Sequence, residues 1–343
     1  MSTAAANTVP PEVAASQLVF QLATGYIASS ALHVAVKLRI ADSLAGGPRP
    51  VSDLAAAAGV NDDALYRVLR TLSSLGVFEE AGPGTFANNL ASATMRSNVQ
   101  GSTHPMTLWL SDPFHFRVYA DLMHSVETGQ PAVEKTVGMP VFEYFQRDKD
   151  LSEVFNDAMT AFSAFVIPAA LEAYDFSGIH LLVDVAGGHG QVLTSILQKH
   201  PQMRGVLFDL AHVIAGAIPR LEQAGVSDRC TTATGDFFKA VPEGGDAYIM
   251  KHIIHDWDDE RALAILANIK KAMKPGGRII LLDSVLASSN EPDFGKLIDL
   301  EMLAMPGGRE RTADEFRALF QRAGLTVTKI VPTKSPLTVI EAR

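Results

Sequence analysis

Cysteine is nearly absent from the chain, since Cys230 is the only one among 343 residues. One thiol excludes an intrachain disulfide and a cysteine-based metal site, and it fits a reducing, cytoplasmic setting. Positive charge is also scarce, because 29 lysines and arginines stand against 38 acidic residues, for a formal net charge of −9. General binding to nucleic acid or to an anionic membrane needs a basic face, so we expect neither.

A good membrane-spanning run is missing as well. Residues 13–36 contain no Lys, Arg, Asp or Glu, but polar side chains such as Gln17, Gln21 and Thr24 interrupt the stretch. It therefore makes a poor membrane span, and it lacks the basic start of a signal peptide. We expect this uncharged helical region to pack against protein, either a partner subunit or the core of the chain itself.

Residues 51–86 predict two short helices followed by a hairpin. Ser52 and Asn61 are typical N-cap residues at the two helix starts. A Gly-Pro-Gly turn then separates two short apolar runs. This order predicts a winged helix-turn-helix, which raises the alternative of a transcriptional regulator. The expected recognition helix carries only Arg67 and Arg70 as basic residues and follows two aspartates, so its charge argues against DNA.

The pattern changes near residue 178. Residues 103–175 predict helices rich in aromatic and Met side chains, which suit both a core and a small-molecule pocket. Beyond them, short apolar runs alternate with amphipathic helices, which is typical of a parallel α/β sheet, and the last two strands could pair as an antiparallel edge. We expect a winged-helix domain at 1–105, a helical linker at 106–177 that lines an acceptor pocket, and an α/β domain at 178–343.

A glycine-rich loop follows the first strand of the α/β region. The segment LVDVAGGHG, residues 182–190, runs from a strand into a helix, where Gly187 and Gly188 let a ligand approach the backbone. Leu193 stands where the dinucleotide fingerprint needs Gly or Ala. Asp184 at the loop entry would repel a pyrophosphate, and it would suit a positively charged ligand.

Acidic and aromatic residues follow the next two strands. Asp209, which precedes Leu210, can take both ribose hydroxyls of a nucleoside. Asp236 and Phe237 can meet the amino group and the face of an adenine. An adenosyl ligand with a positive centre and no pyrophosphate is S-adenosylmethionine, which is the cofactor that we expect.

The segment KHIIHDWDD, residues 251–259, carries the densest set of reactive side chains. It follows an apolar run, and catalytic groups collect at the carboxyl ends of buried strands. His255 is a candidate general base, because the pKa of histidine lies near working pH. His252 and His255 also form an H-x-x-H pair, but local spacing offers no third ligand, so we expect no metal.

Six segments occur in the order LVDVAGGHG, FDL, GDFF, KHIIHDWDD, LLDSVL and PGGRERT. Together they resemble the plant-type small-molecule O-methyltransferases, of the caffeate and hydroxyindole kind, and their bacterial relatives in antibiotic and pigment pathways. The resemblance covers nearly the whole chain. It implies a class I methyltransferase Rossmann-like sheet at the C-terminus and an all-helical, winged-helix N-terminal domain that forms a homodimer. It also implies S-adenosylmethionine as methyl donor and a role in secondary metabolism.

The resemblance gives roles to residues at matching positions. It implies that His255 removes the proton of the acceptor hydroxyl, with the acids Asp283 and Glu310 flanking the histidine. The residues expected to contact the cofactor are Asp184, Gly187, Gly188, Asp209, Leu210, Asp236, Phe237, Lys251, Ser163 and Trp257. The resemblance places Met159 in the acceptor pocket. Other residues that we expect to bind the acceptor, without a family match, are Phe116, Phe142, Phe162, Met302 and Asp256.

Three features depart from the family pattern. Ala186 replaces a loop glycine, Asp283 replaces the glutamate of plant members and reaches less far, and the loop before Pro306 is one residue shorter.

The expected acceptor is a small hydroxylated aromatic molecule whose ring number stays open. The alternative within enzymes is a relative that binds S-adenosylmethionine but hydroxylates or decarboxylates its substrate. The presence of His255 argues against this alternative, because such relatives have often lost the histidine.

Overall fold

The computed structural model describes residues 10–343. It divides into two compact units, one that ends at Phe116 and a second, Arg117–Arg343. The boundary expected after residue 177 falls inside the second unit, and the three-part division stays a prediction.

The first unit combines helices with a small antiparallel sheet. Its helices are α1 (Pro11–Ala23), α2 (Gly25–Lys37), α3 (Ile40–Ser43), α4 (Val51–Ala58), α5 (Asp62–Ser74), α6 (Leu90–Ala93) and α7 (His104–Leu110), while α8 (Pro113–Ala120) crosses the boundary. Its strands are β1 (Arg49–Pro50), β2 (Glu79–Gly82) and β3 (Thr85–Ala87), in the order β1-β3-β2.

Local signals explain most of this unit. The Asn61 side chain accepts a hydrogen bond from the Ala64 N–H and begins α5, whose Leu65, Leu69 and Leu72 are buried. The predicted N-cap at Ser52 is wrong, because α4 begins directly after Pro50 and Ser52 already lies in its first turn. β1 was not predicted, since two residues carry no periodic signal.

The second unit is built on a mixed sheet flanked by helices. Its further helices are α9 (Leu122–Thr128), α10 (Ala132–Val137), α11 (Val141–Arg147), α12 (Lys149–Ala173), α13 (Gln191–Lys199), α14 (Ala211–Gln223), α15 (Asp259–Ala272), α16 (Phe294–Ala304) and α17 (Ala313–Arg322). Its strands are β4 (Leu181–Val185), β5 (Arg204–Asp209), β6 (Cys230–Thr234), β7 (Ala247–Lys251), β8 (Arg278–Asp283), β9 (Val285–Leu286), β10 (Arg311–Thr312), β11 (Val327–Pro332) and β12 (Thr338–Ala342).

The large sheet has the order β11-β12-β8-β7-β4-β5-β6. β4 to β8 pair in parallel, so their carboxyl ends meet at one rim. The predicted antiparallel pair of final strands is confirmed, with β11 at the edge and β12 inserted beside β8. A second sheet of two strands, in which β9 pairs in parallel with β10, was not predicted from any sequence signal.

Apolar side chains pack on both faces of the large sheet. Successive strand residues such as Leu182 and Val183 belong to two different core clusters, because neighbouring side chains of a strand point to opposite faces of the sheet. The long helix α12 contributes Val166 and Ile167 to one of these clusters. By length and composition, α12 could also cross a membrane, as could α1 and α2 if they counted as one span bent by 48°.

Candidate active site

The turn that follows β7 carries His255. β7 is apolar and buried except at its last residue, and its pairing with β8 continues one step further, because the His252 N–H donates to the Leu282 carbonyl at 3.2 Å. His252 then takes a left-handed backbone conformation, with φ 54°. The chain turns there into a short 3-10 helix, Ile254–Asp256, in which His255 is buried. The strand end thus places His255 at the rim of the sheet.

Two carboxylates hold the His255 ring. Its Nδ1 lies 2.7 Å from Glu310 Oε1, and its Nε2 lies 3.4 Å from Asp256 Oδ1. The Glu310 side chain is itself fully buried, so this hydrogen bond is shielded from water.

The arginines beside Glu310 take other partners. Arg309 pairs with Glu315 at 2.6 Å, and Arg311 pairs with Asp259 at 2.9 Å. Both arginines that neighbour Glu310 in sequence therefore form ion pairs with other carboxylates. The carboxylate of Glu310 therefore remains available for its hydrogen bond with His255.

Asp283 lies near the same histidine without bonding to it. It ends β8 and is fully buried, and neither carboxyl oxygen has a hydrogen-bond partner among the described residues. One of these oxygens lies within 4.8 Å of a ring nitrogen of His255 and of His252. Burial raises the pKa of Asp283 well above its usual range. Its short side chain influences His255 through space and makes no direct hydrogen bond.

The charges around His255 set its protonation. Burial lowers the pKa of His255, but the carboxylates of Asp256 and Glu310 outweigh that effect and raise it to about 9. Burial also raises the pKa of Asp256 to about 6, against the attraction of His255. The two carboxylates therefore favour the imidazolium that forms when His255 takes up a proton.

His252 occupies a different environment. Its ring stacks on His255 with centroids 4.5 Å apart and on Phe162 at 5.2 Å. Burial, together with the nearby His255 and Lys251, lowers the pKa of His252 well below its usual value. Ligand atoms of His252, His255 and Asp283 lie within 4.8 Å of one another, as in some metal sites.

A cavity of about 560 Å³ opens beside this turn at the ends of β4, β5 and β7. The glycine loop forms one wall, and its backbone must approach closely there. A Cβ on Gly187 would lie 2.5 Å from Asp184 Cγ and from Leu207 Cδ1, so only glycine fits. Ala186 adopts a left-handed conformation with φ 55°, which an alanine tolerates at some cost.

Acidic side chains surround the cavity. The Asp209 carboxylate accepts from the Gly188 N–H at 2.8 Å and from the Leu210 N–H at 2.7 Å. Asp184 is buried, its Oδ2 has no hydrogen-bond partner in the described chain, and burial raises its pKa to about 7. Burial lowers the pKa of Lys251, which lies on the same rim. A ligand that carries positive charge would offset the free-energy cost of burying these carboxylates.

An aromatic corner closes the cavity. The Trp257 ring meets Phe238 edge-on at 4.8 Å and Phe237 at 6.0 Å, and Phe142 lies 6.1 Å away. The Trp257 Nε1 is buried without a hydrogen-bond acceptor in the described residues. Such a corner offers flat apolar faces to a purine base.

Comparison with known proteins then assigns the family. Residues 119–326 match the O-methyltransferase domain, and residues 20–98 match the O-methyltransferase dimerisation domain. The chain belongs to the O-methyltransferase family. The resemblance noted from the sequence motifs is therefore confirmed.

Full-length relatives agree with this assignment. The phenazine O-methyltransferase PhzM of Lysobacter antibioticus is 42% identical over 328 residues, which cover 96% of each chain. The mitomycin biosynthesis 6-O-methyltransferase of Streptomyces lavendulae is 35% identical over 333 residues, or 96% of this chain and 95% of that protein. The crystal structure of the O-methyltransferase NcsB1 from neocarzinostatin biosynthesis contains S-adenosylmethionine and 2-hydroxy-5-methyl naphthoic acid. It superposes with a TM-score of 0.80 at 30% identity, covering 92% of this chain and 95% of that one.

This O-methyltransferase uses S-adenosylmethionine as its methyl donor, and the cavity fits that molecule. The Gly187 backbone leaves room for close approach, the unpartnered Asp184 carboxylate suits a cationic ligand, and the aromatic corner suits adenine. All residues predicted to contact the cofactor line the cavity, namely Asp184, Gly187, Gly188, Asp209, Leu210, Asp236, Phe237, Lys251, Ser163 and Trp257.

The predicted acceptor residues are divided in the methyltransferase structure. Met159, Phe142 and Asp256 line the cavity. Phe162 instead packs its ring on His252, and Met302 is buried on α16 away from the lining. Phe116 ends the first unit, so its role stays a prediction.

Sequence reasoning missed part of the cavity lining. Phe145, Phe155 and Asn156 on α11 and α12 also face the cavity, and so does Phe238 beyond the predicted Phe237. The signal available for them was the aromatic richness of residues 103–175. That richness could not separate core positions from pocket positions.

Proposed function

We propose that this O-methyltransferase methylates a phenolic hydroxyl of a small aromatic metabolite, with His255 as the general base. The observation that carries the proposal is the buried hydrogen bond between His255 Nδ1 and Glu310 Oε1, 2.7 Å long, at the rim beside the cavity. A histidine held on one nitrogen by a carboxylate presents its other nitrogen to a substrate.

The residues then divide the work of proton transfer. Glu310 accepts the Nδ1–H and fixes the tautomer in which His255 Nε2 has a free lone pair. The proton of the acceptor hydroxyl moves to this Nε2. Asp256 and Asp283 stabilise the resulting imidazolium through space. S-adenosylmethionine, when bound, supplies a methyl group activated by its positive sulfur.

The cavity residues would hold the donor in line with the acceptor oxygen. We assign Asp209 to the ribose hydroxyls and Asp236 with Phe237 and Trp257 to the adenine. We assign the methionyl end to Asp184 and Lys251, together with Gly187, Gly188, Leu210 and Ser163. These assignments rest on the lining of the cavity and on the charges described above.

For the acceptor we propose a flat, hydroxylated aromatic molecule of the kind used in secondary metabolism. Met159, Phe142 and Asp256 offer an apolar, aromatic and hydrogen-bonding lining beside the catalytic turn. The names of the relatives point the same way, since one is a phenazine methyltransferase and NcsB1 was crystallised with a hydroxylated naphthoic acid.

We also propose a cytoplasmic homodimer formed by the N-terminal domain, with a winged-helix arrangement of its elements. Residues 20–98 match a dimerisation domain. Large apolar side chains on α1 and α2 are exposed, including Leu18, Val19, Phe20, Leu22 and Tyr26. An exposed apolar stripe of this size is typical of a surface that another subunit covers. Light scattering of the purified chain would report a monomer if this were wrong.

A screen with isotopically labelled S-adenosylmethionine tests the activity. The panel contains phenols, catechols, flavonoids, polyketide aromatics, a hydroxyphenazine and 2-hydroxy-5-methyl naphthoic acid, with O-methylated analogues of each as matched blanks. We expect label in an aryl methyl ether from at least one member and none from its blank. Loss of a carboxyl group or gain of a hydroxyl without label transfer would favour the hydroxylase or decarboxylase alternative.

A further inference from the structure

The loop that carries Glu310 is docked tightly on the turn that carries His255. The Arg309 N–H donates to the His255 carbonyl at 2.8 Å. Gly308 lies so close that a Cβ there would stand 1.9 Å from the same carbonyl oxygen. The Glu310 N–H donates to Asp299 Oδ1 at 2.8 Å, which anchors the loop on its other side. The base and its carboxylate partner therefore depend on one backbone junction.

Arg311 lies at the centre of this junction. Its side chain is among the largest that are fully buried in the described chain, with 1% exposure. The guanidinium donates to the Ile254 carbonyl at 3.2 Å and to the Trp257 carbonyl at 3.0 Å. These two carbonyls stand on either side of His255 along the chain. Asp259 accepts from Nη2 at 2.9 Å and balances the buried charge.

We propose that Arg311 is a positioning residue for the general base, which fixes the His255 ring by holding both ends of the turn 254–257. The proposal rests on the proposed function of His255. Through its backbone, Arg311 also places the preceding Glu310, since it pairs with Val285 in the small β9–β10 sheet. Arg311 thus contacts the turn of the general base, the neighbouring carboxylate Glu310 and the segment that follows the strand ending at Asp283.

The chemistry of the guanidinium explains why an arginine stands here. Its planar fork offers several N–H donors in fixed directions, so it can span two carbonyls and a carboxylate at once. A lysine ammonium is a compact donor on a flexible stem and cannot reach all three. Arg311→Lys therefore keeps the positive charge but loses the simultaneous hydrogen bonds to the two carbonyls and the carboxylate.

Arg322 provides a matched control. It pairs with Asp259 Oδ2 at 2.7 Å, on the same carboxylate that Arg311 uses, and with Glu260 at 3.2 Å. Within residues 10–343, none of its hydrogen bonds reaches the carbonyls of the turn. Arg322→Gln therefore breaks an ion pair of Asp259 and leaves the turn held. A merely structural role of the Asp259 ion pairs would make both variants behave alike.

The test uses the full-length enzyme and three readouts. Calorimetry gives the affinity for S-adenosylhomocysteine, turnover is measured with a hydroxyphenazine or another screened phenol that the wild type methylates, and proton NMR follows the low-field Nδ1–H of His255. For Arg311→Lys we expect donor affinity within about twofold of wild type, a kcat lowered roughly 10- to 100-fold, and a shifted or lost resonance. Arg322→Gln should leave kcat and the resonance unchanged.

Three results would overturn the proposal. The first is an Arg311→Lys enzyme with wild-type kcat and resonance, and the second is a kcat loss matched by an equal loss of donor affinity. Gly308→Ala forces the same loop away from the His255 carbonyl and should reproduce the Arg311→Lys pattern. If both variants failed to fold, a purely structural role would suffice, which is the third contradicting result.

A parallel His255→Ala enzyme separates this inference from the proposed function. If His255→Ala keeps wild-type turnover, the proposed function fails, whatever Arg311→Lys does. If His255→Ala is inactive while Arg311→Lys turns over normally, only the positioning role fails.

Discussion

Replacement of Asp256 by asparagine should move the pH dependence of methyl transfer toward acid. Asp256 Oδ1 lies 3.4 Å from His255 Nε2, the nitrogen that would take the proton of the acceptor. Its negative charge stabilises the imidazolium, and it contributes to a His255 pKa of about 9 after the opposing effect of burial. Asparagine keeps the size of the side chain and removes the charge.

The distance sets the size of the expected shift. Two unit charges 3.4 Å apart interact by about 5 kcal/mol at an effective dielectric of ~20, and by about 1 kcal/mol in water. Since one pKa unit corresponds to about 1.4 kcal/mol, the pKa of His255 should fall by roughly one to four units in Asp256→Asn. In the wild type Asp256 is ionised near pH 9, because its own pKa is about 6.

The sign follows from the role of a base. His255 can accept a proton only when it is unprotonated, so activity is lost as pH falls through its pKa. The acidic limb of kcat/KM should lie near pH 9 in the wild type and roughly one to four units lower in the variant. Initial rates with labelled donor between about pH 5 and 10 give both limbs, and calorimetry with S-adenosylhomocysteine checks donor binding at each pH.

The acceptor also ionises, and a second phenol controls for this. An acceptor limb moves with the phenol pKa in both enzymes, whereas a His255 limb moves only with the variant. Equal acidic limbs in wild type and Asp256→Asn, or a shift toward alkali, would refute the electrostatic reasoning.

Three further perturbations have defined outcomes. Glu310→Gln should lower kcat about 10²- to 10⁴-fold, because the histidine loses its tautomer partner, with S-adenosylhomocysteine affinity unchanged by calorimetry; equal loss of affinity would contradict this. Gly187→Ala should weaken S-adenosylhomocysteine binding at least about tenfold, since its Cβ would lie 2.5 Å from Asp184 Cγ, and wild-type affinity would show that the loop is not the cradle. Glu341→Gln should destabilise the fold in urea titrations by about 2–4 kcal/mol at neutral pH. Burial opposes ionisation of Glu341, but hydrogen bonds such as that from Thr328 lower its pKa to about 2, so the loss should fade as pH falls from about 4.5 toward 2.

The cofactor rim could be predicted because its signals are local. Each parallel strand is a short apolar run, and the residue that follows the run lies at the strand end. Asp184, Asp209, Asp236 and Lys251 could therefore be placed on one rim before any contact was known, and they line one cavity. The antiparallel pair at the end of the chain was readable for the same reason.

The acid–base cluster depends on long-range packing. His255 and Glu310 are 55 residues apart, and no spacing rule joins them. Their pairing was expected only from family resemblance, and it requires the loop 307–311 to dock on the turn. Arg311 follows Glu310 directly in sequence, but its side chain donates to backbone carbonyls of the turn, and no sequence pattern indicates these contacts.

Helix starts show a smaller version of the same limit. Ser52 has the side chain of an N-cap, but Pro50 occupies that position and α4 begins at Val51. Asn61 has a capping side chain and also stands at the N-cap position of α5, where it accepts a hydrogen bond from the Ala64 N–H. A capping side chain is effective only where the backbone enters the helix, and the neighbouring residues decide that point.

The central claim is that His255 takes the proton of the acceptor hydroxyl. Single-turnover methyl transfer by His255→Ala tests it most directly, at a pH near 9, with saturating donor and a saturating phenol whose pKa lies at least about one unit above that pH. We predict a rate at least about 10²-fold below the wild type with S-adenosylhomocysteine affinity retained, and partial recovery on addition of imidazole. A wild-type rate for His255→Ala under these conditions would contradict the account.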